Sequence, residues 1–82
     1  MPKIVFSENS EREFIKLTKD AKKKVIKKVR ILQKEPRAGK SLKGKMKGLF
    51  SFRAWPYRIV YGLDKQNNIT ILHIFHRQQA YG

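Results

Sequence analysis

Hydrophobic positions in the first half of the chain recur at helical intervals between residues 14 and 32, which predicts two helices. The first helix begins at Ser7 or, through a Ser-Glu-Arg-Glu capping box, at Ser10. The second helix covers about residues 20–34, because Pro36 disfavours helical geometry in the residue before it. The two helices are expected to form an antiparallel hairpin whose apolar edge must be covered by another layer.

Strand-like patterns occupy the N-terminus and the second half of the chain. Residues 3–6 form a short apolar run, and alternation over Leu49–Ala54 and Tyr57–Leu63 predicts two strands joined by a short turn. Residues 69–75 are apolar on both faces, which is typical of a strand in the middle of a sheet. The order β-α-α-β-β-β therefore predicts an α+β fold, with the helical hairpin packed on one face of a mainly antiparallel four-stranded sheet.

Charge changes this picture more than any other property of the composition. The 82 residues include 20 Lys and Arg but only 6 Asp and Glu, which gives a formal net charge of +14. From Pro36 onward Asp64 is the only acidic residue. Such a field attracts polyanions, so we expect a nucleic-acid or acidic-protein partner in preference to a merely solvated lysine-rich surface.

Length and composition also exclude several classes of protein. Residues 1–82 are expected to form a single domain, and the absence of cysteine excludes disulfides and thiolate metal sites. No apolar run has the length of a membrane span, and the N-terminus lacks a signal-peptide core. We expect a cytoplasmic protein with no membrane partner.

Two arginines flank the predicted turn between the alternating strands. Arg53 precedes the turn and Arg58 follows it, so a tight turn lets their side chains converge on one side of the sheet. Arg77 comes from the end of the next strand. Guanidinium groups donate paired hydrogen bonds and stay charged, which suits phosphate. The sequence therefore predicts a phosphate site at these three arginines.

Other candidate residues have more than one interpretation. Tyr81 either stacks on a base or shares a proton with a reacting hydroxyl, or it is an apolar plug for the last turn. Trp55 either stacks on a nucleobase, covers the hairpin or docks on a partner. His73 and His76 should point to opposite faces of a strand, which argues against a metal pair. His76, beside Arg77, is the better candidate for acid-base or phosphate chemistry.

The connector over residues 37–48 is basic and contains three glycines. It is equally consistent with a solvated linker and with a segment that follows a nucleic-acid backbone. Its candidate nucleic-acid-binding residues are Lys40, Lys43, Lys45 and Lys47.

The chain lacks a serine-histidine-acid set, paired carboxylates and a nucleotide-binding glycine motif. Any catalysis must therefore use arginine, tyrosine, lysine or histidine, without a cofactor or metal. These residues suit phosphodiester chemistry, in which the main task is to stabilise the negative charge of a pentacoordinate phosphorus.

The order of elements and four short motifs together resemble the RelE/ParE superfamily of toxins from toxin-antitoxin systems. The motifs are L-x-x-x-P at residues 32–36, L-K-G at 42–44, YRIVY at 57–61 and H-R-x-x-x-Y at 76–81. The resemblance implies a compact α+β toxin that a partner antitoxin silences. RelE-like members are ribosome-dependent endoribonucleases in which the 2′-hydroxyl of mRNA attacks the adjacent phosphate. ParE-like members inhibit DNA gyrase instead.

The resemblance also implies roles for individual residues. Arg58 and Arg77 match arginines that bind or stabilise the scissile phosphate in RelE-like nucleases, and Tyr81 matches a tyrosine proposed to stack on the substrate or activate its hydroxyl. Arg53 falls where these toxins often carry a basic residue. Ser51 departs from a second lysine found in some of them, which leaves the general base open.

The candidates for that base are Tyr81, His76, Lys45 and Lys47. Arg77 and Tyr81 favour an mRNA endoribonuclease over a gyrase inhibitor, and a passive nucleic-acid-binding module ranks third. The expected partners are the ribosome with its mRNA, and an antitoxin that presents acidic residues and an apolar helix.

Overall fold

The computed structural model describes residues 2–77 of the chain. Two helices precede most of the sheet, and each element has the following bounds: β1 Ile4–Phe6, α1 Glu8–Ile15, α2 Lys19–Lys34, β2 Lys40–Ser41, a short 3₁₀ turn at Gly44–Met46, β3 Leu49–Ala54, β4 Tyr57–Leu63 and β5 Ile69–His76. The class is α+β, as predicted from the order of the elements.

The sheet has five strands in the order β1-β5-β4-β3-β2, rather than the four that were predicted. The additional strand lies in the basic connector, where Lys40 pairs with Ser51 and Ser41 pairs with Phe50. The N–H of Leu42 continues this ladder by donating to the carbonyl oxygen of Leu49 at 2.9 Å. Part of the connector is therefore an edge strand. The interpretation of the connector as a purely solvated linker is wrong for Lys40 and Ser41. All pairs are antiparallel except β1 with β5, which is parallel.

Both helices begin at hydroxyl caps. The Ser7 hydroxyl oxygen accepts from the N–H of Ser10 at 3.1 Å, which confirms Ser7 as the start of α1. The Thr18 hydroxyl oxygen accepts from the N–H of Ala21 at 3.2 Å and starts α2. Each cap satisfies an N–H that has no partner within the helix.

The core lies between α2 and one face of the sheet. Its helical side consists of Val25, Val29 and Leu32, and its sheet side consists of Ala54, Ile59, Tyr61, Ile69, Ile71 and Ile74. An irregularity in the pairing of β4 with β5 at Val60 and Tyr61 lets Ile71 and Ile74, three residues apart, share this face. This shift explains why β5 is apolar at positions that strict alternation would assign to both faces.

Side chains of α1 continue the sheet where β1 ends. The carboxylate of Glu13 accepts the N–H of Ile74 at 3.0 Å, and the Asn9 amide donates to the carbonyl oxygen of Leu72 at 3.4 Å. The hydroxyl of Ser10 donates to the carbonyl oxygen of Ile71 at 2.7 Å. These contacts provide hydrogen-bond partners for backbone N–H and C=O groups of β5, and they therefore hold α1 against the strand.

The phenol of Tyr61 ties the core to the connector. Its hydroxyl donates to the carbonyl oxygen of Pro36 at 2.7 Å and accepts from the N–H of Gly39 at 3.0 Å. Gly39 is required here, because a Cβ at this position would lie 2.5 Å from the Tyr61 hydroxyl oxygen. Burial is the main cause that raises the pKa of Tyr61 above its ordinary value. Tyr61 thereby fixes the path of the chain from α2 into β2.

We expect Tyr61→Phe to lower the free energy of unfolding by about 1 to 3 kcal/mol at neutral pH, because the variant leaves the partly buried carbonyl of Pro36 and the partly buried N–H of Gly39 without their partner. Since the folded pKa is raised, the folded state holds the phenol proton more tightly than the unfolded state. The stability that this tighter proton binding provides is complete below the ordinary tyrosine pKa of about 10, and it is lost as pH rises through the pKa of Tyr61 in the folded state. Urea unfolding of both proteins between about pH 7 and about pH 11 measures the difference.

The difference in free energy of unfolding between wild type and Tyr61→Phe should therefore decrease toward the upper end of this pH range. Tyr57→Phe removes a phenol hydroxyl from a half-buried site and serves as the control. A difference in free energy of unfolding that stays constant across the whole pH range would contradict the role assigned to the Tyr61 proton.

Candidate functional site

The face of the sheet opposite the helices carries arginines on adjacent strands. Arg53 of β3 lies directly opposite Arg58 of β4, and Arg58 lies opposite Phe75 of β5. Since Ala54 pairs with Tyr57 across a two-residue turn, Arg53 and Arg58 form a non-hydrogen-bonded pair, in which Cα atoms are only about 4.5 Å apart. The two exposed guanidinium groups are therefore neighbours on one side of the sheet.

Arg77 joins this pair through the turn. Its N–H donates to the carbonyl oxygen of Pro56 at 2.8 Å, which continues the pairing of β5 with β4 beyond the ends of both strands. The Cζ atoms of Arg53 and Arg77 lie 4.8 Å and 5.4 Å from the centroid of the Trp55 ring. Both distances are within the range of a cation–π contact. We call Arg53, Arg58, Arg77 and Trp55 the arginine cluster.

No carboxylate neutralises the arginine cluster within residues 2–77. The two ion pairs of this part of the chain join Arg12 to Glu8 and His73 to Glu13, both on or beside α1. Like charges directly opposite each other on a sheet destabilise the pairing. Three exposed guanidinium groups that no carboxylate of residues 2–77 neutralises are suited to bind an anion with several oxygen atoms.

The lysines of the connector are exposed, and strand pairing places one of them, Lys40, on the face that carries the arginine cluster. Lys40 lies opposite Ser51, which is two residues from Arg53 along β3, and directly opposite residues share a face. Lys43, Lys45 and Lys47 surround the 3₁₀ turn beyond β2. Of these four lysines, Lys40 is the one that strand pairing places on the same face as Arg53.

His76 lies on the other face of the sheet. Its ring makes an edge contact with Tyr57 at 5.3 Å, and both line a pocket of about 380 Å³ with Glu13 and Lys16 of the α1 segment. His73 instead stacks on Phe75 at 4.8 Å, so the two histidines occupy opposite faces as predicted. The structure does not bring His76 together with the arginine cluster, because alternation along β5 separates it from Phe75 and Arg77.

Two features of the site could not be recognised from the sequence pattern. Phe75 borders Arg58, but it was predicted only as part of a buried strand, since nothing local reveals its cross-strand partner. The contacts of Trp55 with two arginines likewise depend on the position of β5. Tyr81, the remaining candidate, lies outside the described residues.

Two further findings concern the kinds of site that residues 2–77 can form. They contain no group of three or more histidine, aspartate or glutamate side chains that could hold a metal ion. Neither helix among them is long and apolar enough to cross a membrane.

Comparison with known proteins identifies the family. Residues 4–81 match the model of the ParE toxin of type II toxin-antitoxin systems. A chain of the RelBE2 toxin-antitoxin complex of Mycobacterium tuberculosis is 31% identical, with a TM-score of 0.85 over 94% of this chain and 100% of that chain. A search of curated proteins found no match.

More distant structures share the fold. The isolated RelE toxin of E. coli has a TM-score of 0.78 at 21% identity, over 93% of this chain and 84% of that chain. YoeB of Staphylococcus aureus, solved as a dimer, has a TM-score of 0.75 at 24% identity, over 92% of this chain and 97% of that chain. The fold and the arginine-bearing sheet face thus define a RelE-like basic domain. The chain belongs to the ParE toxin family, and it is a toxin of a type II toxin-antitoxin module within the RelE/ParE superfamily.

We expect Arg53→Gln to raise the free energy of unfolding by about 0.5 kcal/mol at low salt, because it removes one of two like charges that face each other across the strands. Urea unfolding measures this change. Arg30→Gln on the exposed side of α2 removes the same net charge away from the pair and should have a smaller effect.

Added sulfate should stabilise the wild type more than Arg53→Gln, since an anion bound between the guanidinium groups offsets their repulsion. Equal stabilities of Arg53→Gln and Arg30→Gln, with and without sulfate, would show that Arg53 and Arg58 do not interact.

Proposed function

We propose that the toxin is a ribosome-dependent mRNA endoribonuclease, which inhibits translation by cutting the message. The observation that carries this proposal is the arginine cluster, in which Arg53, Arg58 and Arg77 converge without a neutralising carboxylate within residues 2–77. In the proposed reaction the 2′-hydroxyl attacks the adjacent phosphorus and the bond to the 5′-oxygen breaks. The products are a 2′,3′-cyclic phosphate and a 5′-hydroxyl.

The arginines act on the phosphate in this scheme. Arg58 lies between Arg53 and Phe75 in the sheet, so we assign it to the non-bridging oxygens of the scissile phosphate. Arg53 and Arg77 hold the same phosphate or the next one along the strand. Their charge is of greatest value in the transition state, where the phosphoryl oxygens carry additional negative charge and water is largely excluded.

Trp55 has a role in holding the substrate base. Half of its surface is exposed, and its ring already contacts the two guanidinium groups. Stacking of a base on such an aromatic ring contributes about 1 to 3 kcal/mol to single-stranded nucleic-acid binding. Trp55 would thereby orient the nucleotide whose phosphate the arginines hold.

The proton acceptor is supplied from outside the described arginine cluster. The cluster holds neither a histidine nor a carboxylate, and His76 faces the opposite side of the sheet. Tyr81 and the connector lysines Lys45 and Lys47 remain the candidates for this role. Dependence on the ribosome fits this scheme, because orientation of the mRNA alone supplies a large part of the rate enhancement.

Inhibition of DNA gyrase is the second candidate function. It is favoured by the match of residues 4–81 to the ParE toxin model, since ParE-like members of the superfamily act in this way. The arginine cluster favours the nuclease over the gyrase inhibitor. A phosphate of an RNA substrate would bind these arginines directly, whereas inhibition of gyrase gives them no evident role.

We expect Arg58→Gln and Arg77→Gln each to lower mRNA cleavage by about 10² to 10³-fold, because each removes a donor that stabilises the transition state. Primer extension on mRNA from induced cells should show cuts within translated codons for the wild type and not for these variants. Arg58→Lys keeps the charge but loses the paired hydrogen bonds, so it should retain only part of the activity.

Lys65→Gln, in the exposed turn before β5, is the matched control and should cleave as the wild type does. Growth arrest with intact mRNA and an induced DNA-damage response would overturn the nuclease and favour gyrase. Normal growth in the presence of folded wild-type protein would contradict both functions.

A further inference from the structure

A stacked pair of aromatic rings lies on the face of the sheet that carries the arginine cluster. His73 lies opposite Val60 and Phe75 lies opposite Arg58, and directly opposite residues share a face. The centroids of the His73 and Phe75 rings are 4.8 Å apart, and the planes of the rings differ by 13°. The two rings are thus nearly parallel, and we call His73 and Phe75 the aromatic pair.

Phe75 is bordered by two residues of the arginine cluster. Arg77 follows it by two positions in the chain, and the N–H of Arg77 donates to the carbonyl oxygen of Pro56 at 2.8 Å. Because hydrogen-bonded pairs recur every two residues, Arg58 and Phe75 also form a hydrogen-bonded pair, in which Cα atoms are about 5.5 Å apart. The phenyl side chain therefore lies beside the place where the proposed function puts a phosphate.

Side chains of α1 fix the orientation of the His73 ring. The amide nitrogen of Asn9 lies 2.9 Å from Nδ1 of His73, and the carboxylate of Glu13 lies 3.9 Å from the same atom. Glu13 also accepts the N–H of Ile74, which ties this network to the backbone of β5. Since the His73 ring is held in this way and stacks on Phe75, it supports the Phe75 ring in one orientation.

The aromatic pair lies outside the hydrophobic core, which occupies the other face of the sheet. Both of its residues are half-buried, so each keeps surface that solvent can reach. Aromatic rings beside exposed cations are the combination by which proteins bind single-stranded nucleic acid, because bases stack on the rings while the cations hold the phosphates. The aromatic pair and the arginines beside it provide this combination.

Aromatic side chains thus lie on two sides of Arg58. Trp55 lies in the turn beyond the end of β3, where its ring contacts Arg53 and Arg77. The aromatic pair lies on β5, the strand next to that of Arg58. A single strand of RNA carries a base on each side of every internal phosphate. A phosphate held at Arg58 therefore has an aromatic side chain available for each of its two neighbouring bases.

We propose that Phe75 stacks on the base on one side of the scissile phosphate, while Trp55 stacks on the base on the other side. Phe75 is then a substrate-binding residue, and His73 is a positioning residue that acts through the Phe75 ring. Two consecutive nucleotides would be held in a fixed orientation to the guanidinium groups. This inference rests on the proposed function, because it takes RNA as the ligand, and it adds a second base-binding position to it.

The test follows binding of a dinucleotide to the purified toxin by proton NMR. A dinucleotide has a single phosphate, so its position at the arginine cluster fixes which base lies on each side. Adenylyl-(3′→5′)-uridine with a 2′-O-methyl group on the adenosine cannot be cleaved by attack of the 2′-hydroxyl, and its two bases give separate proton signals. Stacking on an aromatic ring moves such signals upfield. We expect the signals of both bases to move upfield on binding.

Four variants assign the rings to the bases. Phe75→Leu should abolish the upfield shift of one base and weaken binding about fivefold or more, because it removes one stacking contact. Trp55→Leu should abolish the shift of the other base. Phe75→Tyr keeps an aromatic ring and should preserve both shifts. His73→Leu removes the support of the Phe75 ring, so it should reduce the shift of the base that Phe75→Leu affects and leave the other shift unchanged.

Phe6→Leu is the matched control, because it makes the same substitution at another half-buried phenylalanine. Phe6 of β1 lies opposite Ile71 of the core, and its ring contacts that of Phe14 at 5.6 Å on the helical side of the sheet. The control should bind the dinucleotide with both shifts preserved. Urea unfolding of every variant establishes that the protein is folded under the conditions of the binding measurement.

Unchanged shifts in folded Phe75→Leu would overturn the proposal, as would loss of the same base's shift in both Phe75→Leu and Trp55→Leu. Failure of the wild type to bind the dinucleotide would overturn it as well. Cleavage of mRNA in induced cells is measured separately. Cleavage that depends on Arg58, together with shifts that do not depend on Phe75, would leave the nuclease standing without the second base position. Intact mRNA, together with shifts that Phe75→Leu abolishes, would overturn the nuclease and keep the stacking.

Discussion

The register between β3 and β4 is the constraint on which the rest of the molecule depends. A turn of two residues closes the pair at Ala54 and Tyr57, and every partner along the two strands follows from it. A slip of one residue would send Ile59 and Tyr61 toward solvent and the arginines toward α2. The same register therefore fills the core on one face and assembles the arginine cluster on the other. Core packing and site geometry are not independent in this fold.

The site works against the stability of the domain that carries it. Arg53 and Arg58 repel each other, and the helical layer adds many lysines to a chain with a formal charge of +14. Stability comes from the single apolar layer beneath α2 and from buried polar contacts such as those of Tyr61. A bound anion or an acidic partner would relieve the repulsion. Binding and stability should thus be linked, since a ligand that prefers the folded state stabilises it.

Local signals in the sequence predicted much of the fold. The Ser7 cap located the start of α1, the proline after α2 located its end, and alternation located β3 and β4, because these signals act over a few residues. The two-residue strand at Lys40 was not predicted, since so short a run has no periodicity. Arginines on both sides of a turn were recognisable, whereas the separation of His76 from them was not. That separation depends on the pairing of β5, which joins residues distant in sequence.

The parallel pairing of β1 with β5 has a consequence for the time at which the toxin becomes functional. Ile4 pairs with Ile69, so β1 can join the sheet only after β5 has been synthesised. Arg58 likewise lacks its neighbour Phe75 until β5 is in place. Contacts between residues so distant in sequence form slowly and form last. During synthesis the arginine face therefore stays unassembled until β5 is available to pair, so the arginine cluster forms only when nearly the whole described chain has been made.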